Sequence, residues 1–139
     1  MPKFESHQKI AEKNQAVIDL LLPHVSLHPE WVVTVAFCRA VHLIEGLFAR
    51  ESSPFHSVNH EERLNRLKRD RRYENIFKHF RPLFTASLIA RSMEADGAEH
   101  PLFTAHMSSA RVQSDILNHR LRQVEAGAQR MFASLSKPE

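Results

Sequence analysis

Two pairs of polar residues stand at the centre of this 139-residue sequence: His42 with Glu45, and His60 with Arg63. Residues three apart share one face of an α-helix. The only chain between the pairs is the broken segment ESSPFHSVN, so the helices that carry them are expected to turn back on each other. Four titratable or polar groups then meet at one seam of an otherwise apolar bundle. Burying such groups is costly unless they are paired or have chemistry to perform. Two imidazoles beside a guanidinium supply a base, an acid and a fixed cation, the parts needed to cleave a phosphodiester without metal. Glu45 is placed to orient one imidazole. The alternative is that Glu45, His42 and Arg63 form a satisfied polar network that fixes helix register.

A metal reading of the same residues is weaker. His42, Glu45, His56 and His60 could in principle gather around zinc. No HExxH motif is present, and the nearest approach to a diiron Glu-x-x-His pattern runs the other way, from His42 to Glu45, without a second copy. No metal and no cofactor is therefore expected. The single cysteine, Cys38, excludes an internal disulfide and reads as a small core residue. The N-terminus lacks the apolar core of a signal peptide, and Trp31 to Phe48 is interrupted by Arg39, His42 and Glu45. A cytoplasmic location and no membrane partner are expected.

The net charge is only +3 with ten histidines counted neutral, but its distribution is uneven. Arg63, Arg66, Lys68, Arg69, Arg71, Arg72, Lys78 and Arg81 face only Asp70 and Glu74 over that stretch. Such a band is an electrostatic footprint for phosphates or a solvated helical face. With Arg91 farther along, Arg63, Arg66, Lys68, Arg69 and Arg72 are the candidates for RNA contact. Phe55, in the loop, is the aromatic expected to be open for base stacking.

The elements that position these residues are all helical. Ile10, Val17, Ile18 and Leu21 mark a first helix from about residue 6 to 22, ended by Pro23. Pro29 suits the first turn of a second helix. Trp31, Val35, Cys38, His42, Glu45 and Ala49 form one stripe of it, and its wide apolar girth makes it central. Asn59 is a candidate N-cap for a third helix that fades near 68 to 71. A fourth carries Tyr73, Ile76, Phe77, Phe80, Phe84, Leu88 and Met93, with Pro82 expected to kink or split it. The segment 94–101 reads as a loop. A last helix is expected from about 101 to 135, with the seam Leu117, Leu121, Val124, Ala128, Met131 and Leu135. Nothing alternates with period two. The chain thus reads as one all-α domain over 1–139, an up-and-down bundle of four main helices plus a short one.

The motif W-x5-F-x4-H-L-I-E at Trp31 to Glu45, then H-E-E-R at His60 to Arg63, then L-F-x2-S-L-I-A-R at Leu83 to Arg91, resembles a prokaryotic branch of the HEPN superfamily. The resemblance implies an HEPN-like fold, pairing into homodimers, and a role with RNA: metal-independent ribonuclease, toxin or antitoxin component, or RNA- or nucleotide-binding accessory. It places His42 and Glu45 in the second-helix pattern and His60 and Arg63 in the pair that follows. The superfamily's ribonuclease signature, an arginine and then a histidine separated by four to six residues, occurs at Arg50–His56 and Arg72–His79. Chance alone predicts about 3 such pairs in this composition, so they carry no weight. The His60/Arg63 order is the reverse of that signature, which leaves catalysis open. The expected function is RNA binding or processing by a homodimer, with a cognate protein from a neighbouring gene as a further partner. The competing class is a non-catalytic interaction or nucleotide-sensing module.

Overall fold

The computed structural model describes residues 3–92 and 103–135. Among them there is no strand, and the chain is an all-α bundle. Helix α1 spans Phe4–Leu21 and passes into a 3-10 turn at Leu22–His24, where Pro23 ends the α-helical ladder. Helix α2 spans Pro29–Arg50 with the proline in its first turn. Helix α3, His60–Arg69, starts at Asn59, whose side chain accepts from the Glu62 amide. A 3-10 turn at Arg71–Tyr73 leads into α4, Glu74–Ser92, which continues through Pro82. The first part of the expected last helix is instead a short turn, α5 (Phe103–His106). The final rod begins only after Ser108 caps α6 (Ser109–Arg111). It continues as a π-wound stretch, Val112–Leu121, and ends as α7, Arg122–Leu135. Met93 and the expected loop 94–101 lie outside the described residues.

Pairs of facing residues give the topology. Arg39 donates to the Ala11 carbonyl while Phe4 lies beside Gly46, so α1 and α2 are antiparallel. Phe48 meets Tyr73 and Phe37 meets Phe80, which makes α2 and α4 antiparallel. Ile76 faces Gly127 and His79 faces Arg120, so the last rod runs against α4. The four long rods therefore alternate in direction, with α3 inserted between the second and third. Helix α2 is central: Val32, Val33, Ala36, Phe37, Ala40, Ile44, Leu47 and Phe48 are buried. It alone among the described helices is long and apolar enough to cross a membrane by length and composition. Here α1, α4 and the last rod cover those apolar faces.

Several faces differ from the periodicity reading. Trp31 is 58% exposed, because α2 docks through the small residues Ala36 and Ala40 and turns its tryptophan outward. Helix α1 packs through His7, Ala11 and Ile18, leaving Ile10 and Val17 largely outside. In α4 the inward line is Ile76, Phe80, Leu83 and Ser87, with Phe77 and Phe84 half-buried against the core. The seam of the last rod is internal: Leu117, Leu121, Val124 and Ala128 are buried, and Met131 and Leu135 pack against the core. In the π-wound stretch the buried residues Val112, Ile116, Leu117 and Leu121 recur at four and five, as wider winding requires.

Candidate functional site

Glu45 is the hub of the seam. Its side chain is 1% exposed, so its charge must be met from within the protein. One oxygen accepts from the Ser57 amide at 2.8 Å and faces His56 Nδ1 at 3.1 Å. The other accepts from the Ser57 hydroxyl at 2.7 Å and from Arg63 Nε at 3.0 Å. Helix α2 supplies the carboxylate, the loop after it supplies His56 and Ser57, and α3 supplies Arg63. The broken segment between the helices is thus pinned to the hub by its own backbone.

Arg63 continues the chain of contacts. Its second nitrogen lies 2.6 Å from His60 Nδ1. A guanidinium only donates, so His60 Nδ1 accepts, and the neutral ring carries its proton on Nε2. His56 is placed differently: its Nδ1 faces the Glu45 carboxylate at 3.1 Å as an ion-pair contact, and its ring is 38% exposed. The series His56–Glu45–Arg63–His60 therefore sets two imidazoles at the two ends of one carboxylate–guanidinium pair, with His60 held as the Nε2–H donor. His60 packs edge-on against Phe37 and tilted on Phe84, with centroids 5.2 and 5.6 Å away. Burial first, and then the Arg63 and Arg91 charges, hold its pKa below the usual histidine value. Arg91 lies 5.7 Å over the Phe37 ring and donates back to the Ser87 carbonyl.

His42 lies beside this series but outside it. Its Nδ1 is 2.9 Å from Nδ1 of His7, in the second turn of α1. One of those two nitrogens must donate and the other accept, so both rings cannot be protonated there at once. His7 also stacks on His56 with centroids 5.7 Å apart, and its Nε2 is buried without a partner among the described residues. Both rings are held below the ordinary pKa. For each the largest cause is burial, followed by the neighbouring His42 for His7 and by Arg63 for His42.

Of the four expected site residues, Glu45, His60 and Arg63 are joined directly, and His42 turns to His7 instead. His56, noted only as a weak metal candidate, and His7 and Ser57, which were not expected, complete the cluster. A histidine on the inward face with Ala11 and Ile18 was the available signal for His7. Ser57 contributes partly through its backbone amide, which no side-chain pattern reveals. Among the described residues no group of three or more His, Cys, Asp or Glu side chains could hold a metal ion.

The expected RNA contacts divide sharply. Arg63 is buried against Glu45. Arg72 donates to Asp70 at 2.7 Å and to Glu51 at 2.9 Å, which holds the Asp70 carboxyl below its usual range. Glu51 is itself buried and also accepts from the Tyr73 hydroxyl. Arg66 lies 4.9 Å over Phe55, and Phe55 packs edge-on against Phe48 rather than standing open for stacking. Lys68, Arg69 and Arg91 are exposed. No protein-family model, curated protein or solved structure matches the chain.

Proposed function

We propose that the chain is a cytoplasmic, HEPN-like domain that binds RNA and transfers protons at a phosphodiester without a metal. The observation that supports this reading is the His56–Glu45–Arg63–His60 series, which holds His60 as a donor and sets the exposed His56 ring beside the Glu45 carboxylate. His56 Nε2 takes the proton of a ribose 2′-hydroxyl as that oxygen attacks phosphorus. His60 Nε2–H gives its proton to the departing 5′-oxygen. The products are a 2′,3′-cyclic phosphate and a free 5′-hydroxyl, so atoms and protons balance. Exposed Arg91 is the cation for the non-bridging oxygens, and Lys68 with Arg69 extends the positive face along the strand. Residues Glu45, Arg63 and His42 position the reacting pair.

Homodimerisation belongs to the same reading. The apolar seams of α4 and the last rod are occupied within the chain. Among the exposed large hydrophobics, Leu20, Leu27 and Trp31 cluster where α1 leads into α2 and are the group offered to a second copy. Sedimentation at micromolar concentration gives a dimer if this is so, and Trp31→Ala returns it to a monomer.

The activity test is cleavage of a single-stranded RNA in EDTA. Replacing His56 or His60 by alanine lowers the rate about 10²- to 10⁴-fold. A second reading is favoured by the four contacts on Glu45: the network fixes the loop of a non-catalytic interaction or nucleotide-sensing module. Salt-dependent RNA binding with no cleavage keeps the RNA-binding role and rejects the cleavage step. Salt-insensitive RNA association, or none, rejects the RNA role and leaves the second reading.

A further inference from the structure

The last rod carries a second series of the same composition. His119 Nδ1 is 3.2 Å from Asp115, Asp115 is 3.6 Å from Arg120 Nε, and Arg120 is 3.2 Å from Nδ1 of buried His79 on α4. The order imidazole, carboxylate, guanidinium, imidazole repeats that of the Glu45 series. The rings of His79 and His119 meet edge-on at 5.3 Å.

This second series borders a groove of about 630 Å³ between α4 and the π-wound stretch. Its floor is apolar, made by Phe77, Pro82, Ala86, Met107 and Ile116, and its rim carries Lys78, Arg81 and Arg111. These three side chains have no ion-pair partner among the described residues, whereas Arg39, Arg63 and Arg122 each have one and Arg72 has two. Two carboxylates also line the groove, Glu74 and Asp115. Arg120 and His119 engage the Asp115 carboxylate, which weakens its repulsion of an anion. The wall opposite α4 is π-wound, a geometry that occurs often at functional sites. Three cations brought together over an apolar floor repel one another until an anion joins them. A phosphate, with its charge and three terminal oxygens, suits several donors at once better than a single carboxylate does.

We propose that this groove is a second binding site, for an organic phosphate ester with a compact planar or apolar body. The body rests on Phe77, Pro82 and Met107, and the phosphate lies among Lys78, Arg81 and Arg111. The site stands apart from the Glu45 seam and does not depend on what that seam does. A free small ester and the phosphorylated end of a strand present this same chemistry.

The test is titration of the whole chain with 1-naphthyl phosphate, and separately with a short oligoribonucleotide bearing either a 5′-phosphate or a 5′-hydroxyl. The ester binds one to one, and Arg81→Ala with Arg111→Ala weakens it at least about tenfold, more than one lost charge contact alone. Lys9→Ala with Lys13→Ala, exposed on α1 and outside the groove, leaves it unchanged, and thermal melting checks that both doubles fold. If the 5′-phosphate strengthens oligonucleotide binding in the native chain but not in the groove variant, the source is a strand end. If only the small ester responds, the source is a free metabolite. No binding at millimolar ester overturns the proposal, as does equal binding by the native chain and the groove variant. Loss of RNA cleavage in His56→Ala with ester binding intact separates this site from the first.

Discussion

The two imidazole–carboxylate–guanidinium series share a composition and differ in surroundings. Glu45 sits on the central helix, almost wholly enclosed, with three hydrogen-bond donors and the His56 ring around it. Asp115 is 28% exposed on the outermost rod, its contact to Arg120 is 3.6 Å, and its histidine is half in solvent. The same functional groups therefore carry different energetic weight. A buried carboxylate cannot lose its partners without leaving an uncompensated charge, whereas an exposed one exchanges them for water. The first series is rigid and holds a loop in place. The second is adjustable and borders open space.

Glu45→Gln is expected to have the largest effect on the difference between the two series. The amide keeps the shape but cannot accept from both Ser57 donors and Arg63 together, and it leaves Arg63 buried without its counter-charge. The expected loss is about 3–5 kcal/mol in denaturant unfolding. A loss below about 1 kcal/mol means that water reaches the seam, and the contrast with Asp115 then collapses.

The next effect is set by pH and acts on the first series through its neighbours. His7 and His42 have pKa values held below the ordinary 6.5 in the folded chain, each chiefly by burial. The unfolded chain therefore binds more protons than the folded one below about pH 6.5, and stability falls as the pH drops through that range. Groups facing His7 from the packed elements are His42 and Glu45 on α2, His56 on the loop and Arg63 on α3. Only Glu45 opposes the added positive charge. Unfolding compared at about pH 7.5 and about pH 5.5 shows this loss in the native chain, and a smaller one in His7→Phe. An identical loss in the variant places the pH response elsewhere, with His79 the next group to examine, since burial and Arg120 lower its pKa as well.

Much of the first series was legible because its spacing is local. His42 to Glu45 and His60 to Arg63 each span one turn, and the capping Asn59 with the proline at 29 marked where two of the helices begin. Residues joined across the sequence were not legible. His7 meets His42 from 35 positions away, and the contact exists only because α1 folds back on α2. Trp31 was misplaced for a related reason. A helix apolar around most of its girth has no single periodic face, so the docking of Ala36 and Ala40, and not hydrophobicity, decides which side turns inward. Phe55 was expected to stand open because it lies in the loop between two helices. In the fold Arg66 and Phe48 enclose it, which is a tertiary outcome. The second series was hidden by winding. Asp115 to His119 is an ordinary four-residue step, but the π-wound stretch also changes which residues meet α4, and no pattern in the sequence announces that change.

The smallest expected effect is therefore the most discriminating. Asp115→Asn removes the carboxylate from the second series while leaving a group of the same size that still accepts from His119. The Arg120 side chain is 25% exposed and His119 is 47% exposed, and Arg120 Nε, 3.6 Å from Asp115, makes no hydrogen bond that the substitution would break. Like other pairs near the surface, this one is expected to contribute about 0.2–1 kcal/mol, and less as salt rises. The experiment is denaturant unfolding of Asp115→Asn beside Glu45→Gln at low and high salt. A small salt-sensitive loss for the first and a large salt-insensitive one for the second supports the distinction between an adjustable and a rigid series. If Asp115→Asn costs as much as Glu45→Gln, then Arg120 depends on Asp115 as Arg63 depends on Glu45. The outer rod would then owe its docking on α4 to that carboxylate as much as to the apolar contacts of Ile116 and Leu121.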